Sequence, residues 1–209
     1  DVDKLMSNIT LVTEFNYKKV VEKGGDPKKE CLTLVKTTDG KAYYKSTDGC
    51  FRIYEFIDGK SYQSVENANQ FRESAVAFGN FAKLLNEFDA TLLYEVLPNF
   101  HNTEKRFNDF VNSLNKDALG RAKFVKDEID FVLSRKDYCN KIVNLLKSGE
   151  MPTKVTHNDT KLNNVMFDKY EDKCIAVIDL DTIMPGSICY DFGDSIRFGC
   201  NHSAEDEKD

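Results

Sequence analysis

The chain has 209 residues, 41% of them hydrophobic and 31% charged, a balance that places it with globular proteins rather than disordered or fibrous ones. Its formal net charge of -6 makes the phosphate backbone of a nucleic acid and an anionic lipid surface poor partners, so neither nucleic acid nor membrane binding is expected. No apolar run is long enough for a bilayer span and the first residues do not spell a signal peptide, which leads to a cytoplasmic expectation.

Cys31, Cys50, Cys139, Cys174, Cys189 and Cys200 form no C-x-x-C pair, so a zinc or thioredoxin-type site is not expected and the thiols are read as reduced. Asn8, Asn158 and Asn201 open N-x-[ST] triplets, which are chance matches in a cytoplasmic protein. The run Glu205 to Asp209 reads as a solvated charged stretch.

In chain order, Leu5, Ile9, Val12 and Val20 recur at helical spacing and predict an amphipathic helix from Val2 to Val21, closed by Lys23-Gly24-Gly25-Asp26-Pro27. Three β-prone segments follow, Cys31 to Thr37, Lys41 to Lys45 and Cys50 to Ile57. Asp39-Gly40 and Asp48-Gly49 stand at the joints, so an antiparallel meander is expected. From Glu66 the period becomes helical. Phe71, Ala75, Phe78, Ala82 and Leu85 form one stripe, widened by Val76, Phe81, Leu84 and Phe88. Three further helices are predicted around Phe107 to Leu114, Phe124 to Leu133 and Tyr138 to Leu146, with their aromatics read as core.

After Pro152 the pattern changes to strand, loop, hairpin. Lys154 to Thr156 is a short strand, His157 to Asn164 a polar loop, Val165 to Phe167 a strand, and Cys174 to Ile178 a return strand that ends at Asp179. Asp159 and Asn164 fit D-x-x-x-x-N. Phosphoryl transfer needs a carboxylate beside the attacking hydroxyl and hard oxygen ligands for a Mg²⁺ that bridges nucleotide phosphates. Asp159 is the candidate base, and Asn164 and Asp179 the candidate metal ligands. Alone, the short motif is equally a polar turn rich in Asp and Asn. The strand before it and the hairpin after it favour the site.

Asp191-Phe192-Gly193 offers a competing metal aspartate, since it spells the D-F-G of protein kinases. Hairpin geometry favours Asp179, because the start of one strand lies beside the end of its antiparallel partner. Met184-Pro185-Gly186 is read as turning the chain away. Asp191 is then expected to bond backbone N–H groups near the loop or to pair with a cation such as Arg197.

The runs Val155 to Asn164, Ile178 to Gly186 and Tyr190 to Gly199 resemble the aminoglycoside phosphotransferase and choline kinase family of the protein-kinase-like superfamily. Within it they look most like bacterial N-acetylhexosamine 1-kinases, as do Phe71-Arg72-Glu73, Ala77-Phe78-Gly79 and Glu87-Phe88-Asp89-Ala90. The resemblance implies an α+β, two-lobed kinase fold. Residues 1–58 would be a partial N-lobe ending at the hinge, and 59–209 a mainly helical C-lobe.

The resemblance also implies ATP and Mg²⁺ as cofactors and a small-molecule substrate, foremost an amino sugar phosphorylated on its anomeric hydroxyl. It matches Asp159 to the catalytic base, Asn164 and Asp179 to the metal ligands, and Lys161 to a lysine touching the transferred phosphate. His157 matches a residue that braces the loop. Glu55, Phe56 and Ile57 match the backbone that binds adenine, with a plain edge strand as the alternative. Choline, homoserine or an aminoglycoside are alternative acceptors, and a nucleotide-binding pseudokinase is the alternative outside catalysis. Absence of Trp speaks against a cationic choline cage.

One departure from the pattern is that no Gly-rich phosphate loop and no strand lysine precede the first helix, and Glu14 is only a candidate partner for such a lysine. Helices that would complete a sugar pocket downstream are also not found. The chain is therefore expected to be a piece of a longer protein and, by itself, to bind ATP poorly.

Overall fold

The computed structural model describes residues 1–201; the charged run Glu205 to Asp209 lies outside the described residues. The chain forms two compact units, one from Asp1–Val96 together with the segment from Lys154 onward, the other from Leu97–Thr153. Among the described residues no helix is long and apolar enough to cross a membrane, and the six cysteines are free thiols.

The first unit begins with α1 (Val2–Glu22), whose first turn is capped by the Asp1 side chain accepting from the Lys4 N–H at 3.2 Å. Gly24, at φ 75°, and Gly25 end it by returning their N–H groups to Val21 and Val20. The predicted apolar face is the one buried: Ile9 and Val12 are at 0% exposure and pack with Met6, Leu85, Val155, Leu180 and Ile183 in one core. Burying each of those two side chains contributes about 2 kcal/mol. A single turn, α2 (Pro27–Glu30), follows.

The expected meander is not what forms. β1 (Leu34–Val35) pairs antiparallel with β4 (Ile53–Tyr54), and β2 (Tyr44–Ser46) with β3 (Gly49–Phe51), as two separate two-stranded ladders. The third predicted strand is broken at Arg52, which lies between β3 and β4. The Asp48-Gly49 joint does close the β2–β3 hairpin, with Ser46 opposite Gly49.

Next comes α3 (Ala68–Leu84). Asn67 caps it by accepting from the Gln70 N–H at 3.0 Å, and the buried Gln70 amide oxygen accepts from the Glu66 N–H at 3.0 Å. Its Phe78 is buried against a second core of Leu162, Val165, Phe167 and Val177. Ala75 and Val76, counted in the predicted stripe, face outward.

The remaining strands carry the site. β5 (Lys154–Thr156) pairs antiparallel with β8 (Met184–Gly186), and β6 (Val165–Phe167) with β7 (Cys174–Val177). Met184-Pro185-Gly186, expected only to turn the chain away, is thus itself a strand that returns it to the start of the loop. Pro185 is accommodated because β8 has a single neighbour in a two-stranded sheet. The chain then enters α7 (Ile188–Gly199), capped by the Ser187 side chain.

The second unit holds α4 (Thr103–Lys116), α5 (Lys126–Leu133) and α6 (Lys141–Ser148), all three at predicted places. Phe107 is buried, but Phe124, Phe131 and Tyr138, expected in the core, are mostly exposed. Each is covered instead by a neighbouring cation: Lys123 over Phe124 at 4.9 Å, Arg135 over Phe131 at 3.4 Å and Lys141 over Tyr138 at 4.2 Å.

Candidate active site

The polar loop His157 to Asn164 opens where β5 ends, and β8 fixes that end: the buried Thr156 hydroxyl donates to the Met184 carbonyl at 3.0 Å. His157 is fully buried. Its Nε2–H donates to the Ile178 carbonyl at 2.9 Å, its Nδ1 accepts from the Asp159 N–H at 3.3 Å, and Phe78 and Phe81 present ring edges to it. With both nitrogens committed, the imidazole ties the loop to the end of β7 and is no proton shuttle.

From behind, α7 grips the loop. The Asp191 carboxylate accepts from the backbone N–H of His157 at 2.9 Å and of Asn158 at 2.7 Å. One turn on, Asp194 accepts from the Thr160 N–H at 2.8 Å, and it pairs with Arg197 at 2.9 Å. Asp191 is buried, and burial pushes its carboxyl above the usual carboxylate range, against the opposing pull of those two N–H groups. Of the two partners expected for Asp191, the structure shows the backbone; Arg197 serves Asp194.

On the open side stand the three residues the sequence singled out. Asn164 Nδ2 donates to the Asp159 carbonyl at 2.8 Å and to Asp159 Oδ2 at 2.9 Å. The Lys161 ammonium lies 3.3 Å from Asp159 Oδ1. In the hairpin Val165 faces Val177, and the ladder runs one step further, with the Ile178 N–H donating to the Asn164 carbonyl at 2.9 Å. Asp179 is the next residue, so the hairpin delivers it beside Asn164. Asn164 Oδ1 and the exposed Asp179 carboxylate accept no hydrogen bond among the described residues, leaving hard oxygens of the kind that fit Mg²⁺.

Asp179 sits at φ 58° and ψ 70°, a left-handed conformation that costs a non-glycine residue about 1–3 kcal/mol. Ties on both sides hold it there. Ahead is the His157–Ile178 bond. Behind, in the single turn Leu180–Thr182, the Thr182 hydroxyl donates to the His157 carbonyl at 2.6 Å and Asn158 Nδ2 donates to the Thr182 carbonyl at 2.8 Å. Asp181, in the same turn, pairs with Arg52.

The segment Glu55 to Ile57 follows β4. The Glu55 N–H is taken by the Thr33 carbonyl at 2.9 Å, Phe56 is exposed and Ile57 is buried. Two residues later Lys60 exchanges backbone hydrogen bonds with Phe167 at the end of β6, at 2.8 and 2.9 Å. Glu14 pairs with Lys36, just past β1, at 3.1 Å.

Sequence reading missed Asn158, Thr182, Asp194 and the Arg52–Asp181 pair. The Asp191 and Asp194 spacing of three was a usable signal, since it puts both on one helical face. Nothing local marked Arg52, whose partner is far along the chain.

A family model described as a phosphotransferase enzyme family matches residues 26–207. The chain belongs to that phosphotransferase family. Among solved structures it is similar to an aminoglycoside phosphotransferase from Alicyclobacillus acidocaldarius, with a TM-score of 0.62 at 13% identity over 92% of this chain and 58% of that one. An amicoumacin kinase in complex with AMP-PNP and Ca²⁺ gives 0.51 at 13% identity, over 88% and 51%. A spectinomycin phosphotransferase bound to AMP gives 0.51 at 15% identity, over 97% and 67%. At such identities the likeness establishes the kinase-like fold of this chain, mixed helix and antiparallel strand. The chain spans 58% and 51% of the first two of these structures.

Proposed function

We propose that the protein transfers the γ-phosphoryl group of MgATP to a hydroxyl of a small molecule, and that the acceptor is the anomeric hydroxyl of an N-acetylhexosamine. The observation that carries the transfer is the hairpin register, which sets Asp179 beside Asn164 while Asn164 also holds the Asp159 carboxylate. In this reading Asp159 orients the acceptor hydroxyl and takes its proton, and Lys161 faces the transferred phosphate. Asn164 and Asp179 hold the metal, which supplies charge neutralisation at the phosphates. Residues 1–58 act as the nucleotide-side lobe, with the backbone of Glu55, Phe56 and Ile57 for adenine, and 59–209 as the acceptor-side lobe.

The family supports a kinase acting on a small molecule. Support for the amino sugar is the sequence likeness of Asp179 to Gly186 and Tyr190 to Gly199. A second acceptor class, an aminoglycoside or related antibiotic, is favoured by the names of the fold neighbours. ATP consumption by the whole protein against N-acetylhexosamines, aminoglycosides, choline and homoserine, followed by phosphorus NMR of the product, decides between them. An anomeric phosphate is expected. Phosphate on a ring 3-, 4- or 6-hydroxyl or on an antibiotic rejects the sugar 1-kinase reading, and no turnover with any acceptor rejects the kinase.

A further inference from the structure

We infer that Arg52 is a positioning residue for the metal-side carboxylate: its ion pair with Asp181 holds Asp179 in its left-handed conformation. The inference rests on the proposed phosphoryl transfer and names a residue that reading does not use.

Three contacts fix the Arg52 guanidinium. It pairs with Asp181, its Nη1 lies 4.0 Å from the sulfur of the buried Met6 on α1, and its carbon is 5.4 Å from the Tyr54 ring centroid on β4. The Arg52 side chain is three-quarters buried, so the planar group is held rather than waving in water. Asp181 lies two residues after Asp179, in the same turn.

The hydrogen bonds on that turn from His157, Asn158 and Thr182 run to the polar loop, and Asn8 on α1 donates to the Ile183 carbonyl at 2.9 Å. Arg52 provides one that runs elsewhere, to the strand pair that leads into Glu55 to Ile57. A strained residue persists only where its surroundings over-determine it. Loss of the Arg52 tie removes the side-chain restraint at Asp181, two residues from Asp179, and Asp179 can relax toward ordinary backbone angles with its carboxylate displaced.

The test uses the whole protein, with Mn²⁺ as the metal probe and ADP as the nucleotide. Free Mn²⁺ is read by electron paramagnetic resonance, ADP binding without metal by calorimetry, and the melting temperature without ligands. Arg52→Met and Asp181→Asn are each expected to weaken Mn²⁺ binding in the ADP complex about 10-fold or more, the usual effect of removing a partner that orients a ligand. Metal-free ADP affinity should stay within about twofold of the parent. The double variant should lose no more than either single one, because both remove the same pair. Arg52→Lys should fall between parent and Arg52→Met; if Arg52→Met does not fold, Arg52→Lys and Asp181→Asn carry the test.

Equal loss of metal-free ADP binding and of Mn²⁺ binding would mean a merely structural pair and overturn the inference. Unchanged Mn²⁺ affinity in Asp181→Asn, with Asp179→Asn abolishing it, overturns the inference and leaves the proposed function standing. A parent protein that binds no Mn²⁺ with ADP overturns both.

Discussion

The side-chain amide of Asn164 donates to the carboxylate of Asp159 at 2.9 Å, so the candidate base and a candidate metal ligand are joined by a direct hydrogen bond. This contact aims one oxygen of the base and turns the amide oxygen of Asn164 away from it. The candidate base and the candidate metal ligand are therefore positioned as one unit.

Asp159→Asn should lower turnover by a factor on the order of 10² to 10⁴, the contribution of a positioned general base, with nucleotide affinity little changed. Steady-state kinetics and ADP calorimetry on the whole protein check this. Near-parental turnover would remove Asp159 from the role.

Asp179 and Asp191 separate by experiment. Asp179→Asn should raise the Mg²⁺ requirement by more than the roughly 10- to 100-fold typical of outer partners, while leaving the melting temperature nearly unmoved. In a nucleotide-bound structure an Asp179 oxygen should lie roughly 2.1 Å from Mg²⁺, with Asp191 outside the coordination shell. Metal on Asp191 would reverse the assignment.

Asp191 should instead govern stability. Asp191→Ala strands two backbone donors of the polar loop His157 to Asn164, at a cost of about 1–3 kcal/mol each, measurable by denaturant unfolding. A pH signature accompanies it. Because burial raises the folded carboxyl above its unfolded value, its contribution is full below about pH 4 and is lost as pH rises through the folded value. The stability of the parent relative to Asp191→Asn, which does not titrate, should therefore be greatest in acid and shrink toward neutrality. A difference that grows with pH would show that the two N–H bonds outweigh burial.

Gly59→Ala tests the join between the segment after β4 and the hairpin. A Cβ there would lie 2.6 Å from the Phe167 carbonyl oxygen, a backbone atom that cannot swing aside. Destabilisation of about 1–3 kcal/mol is expected, as for other overpacked sites, and a thermal melt reads it. An unchanged melting point would mean that the Lys60–Phe167 bridge is not tight in solution.

Local chemistry made much of this legible. The helical period of Leu5, Ile9, Val12 and Val20 sets the buried face of α1. The apolar runs flanking the polar turn at Asp168 to Lys173 set the β6–β7 hairpin, and the hairpin alone brings Asp179 to Asn164. These features depend on residues near one another in the chain, where spacing translates directly into geometry. Other features were decided only by tertiary structure. Pro185 pairs in a strand because β5 supplies a partner 30 residues upstream, opposite Val155. Arg52 lies at a break in a predicted strand, and its side chain pairs with Asp181, 129 residues away. For Asp191 the sequence left two partners open, backbone N–H groups and Arg197; β8 and α7 carry it behind the loop, where two backbone N–H groups bind it. In each case the deciding group is remote in sequence, and only the packed chain says which remote groups meet.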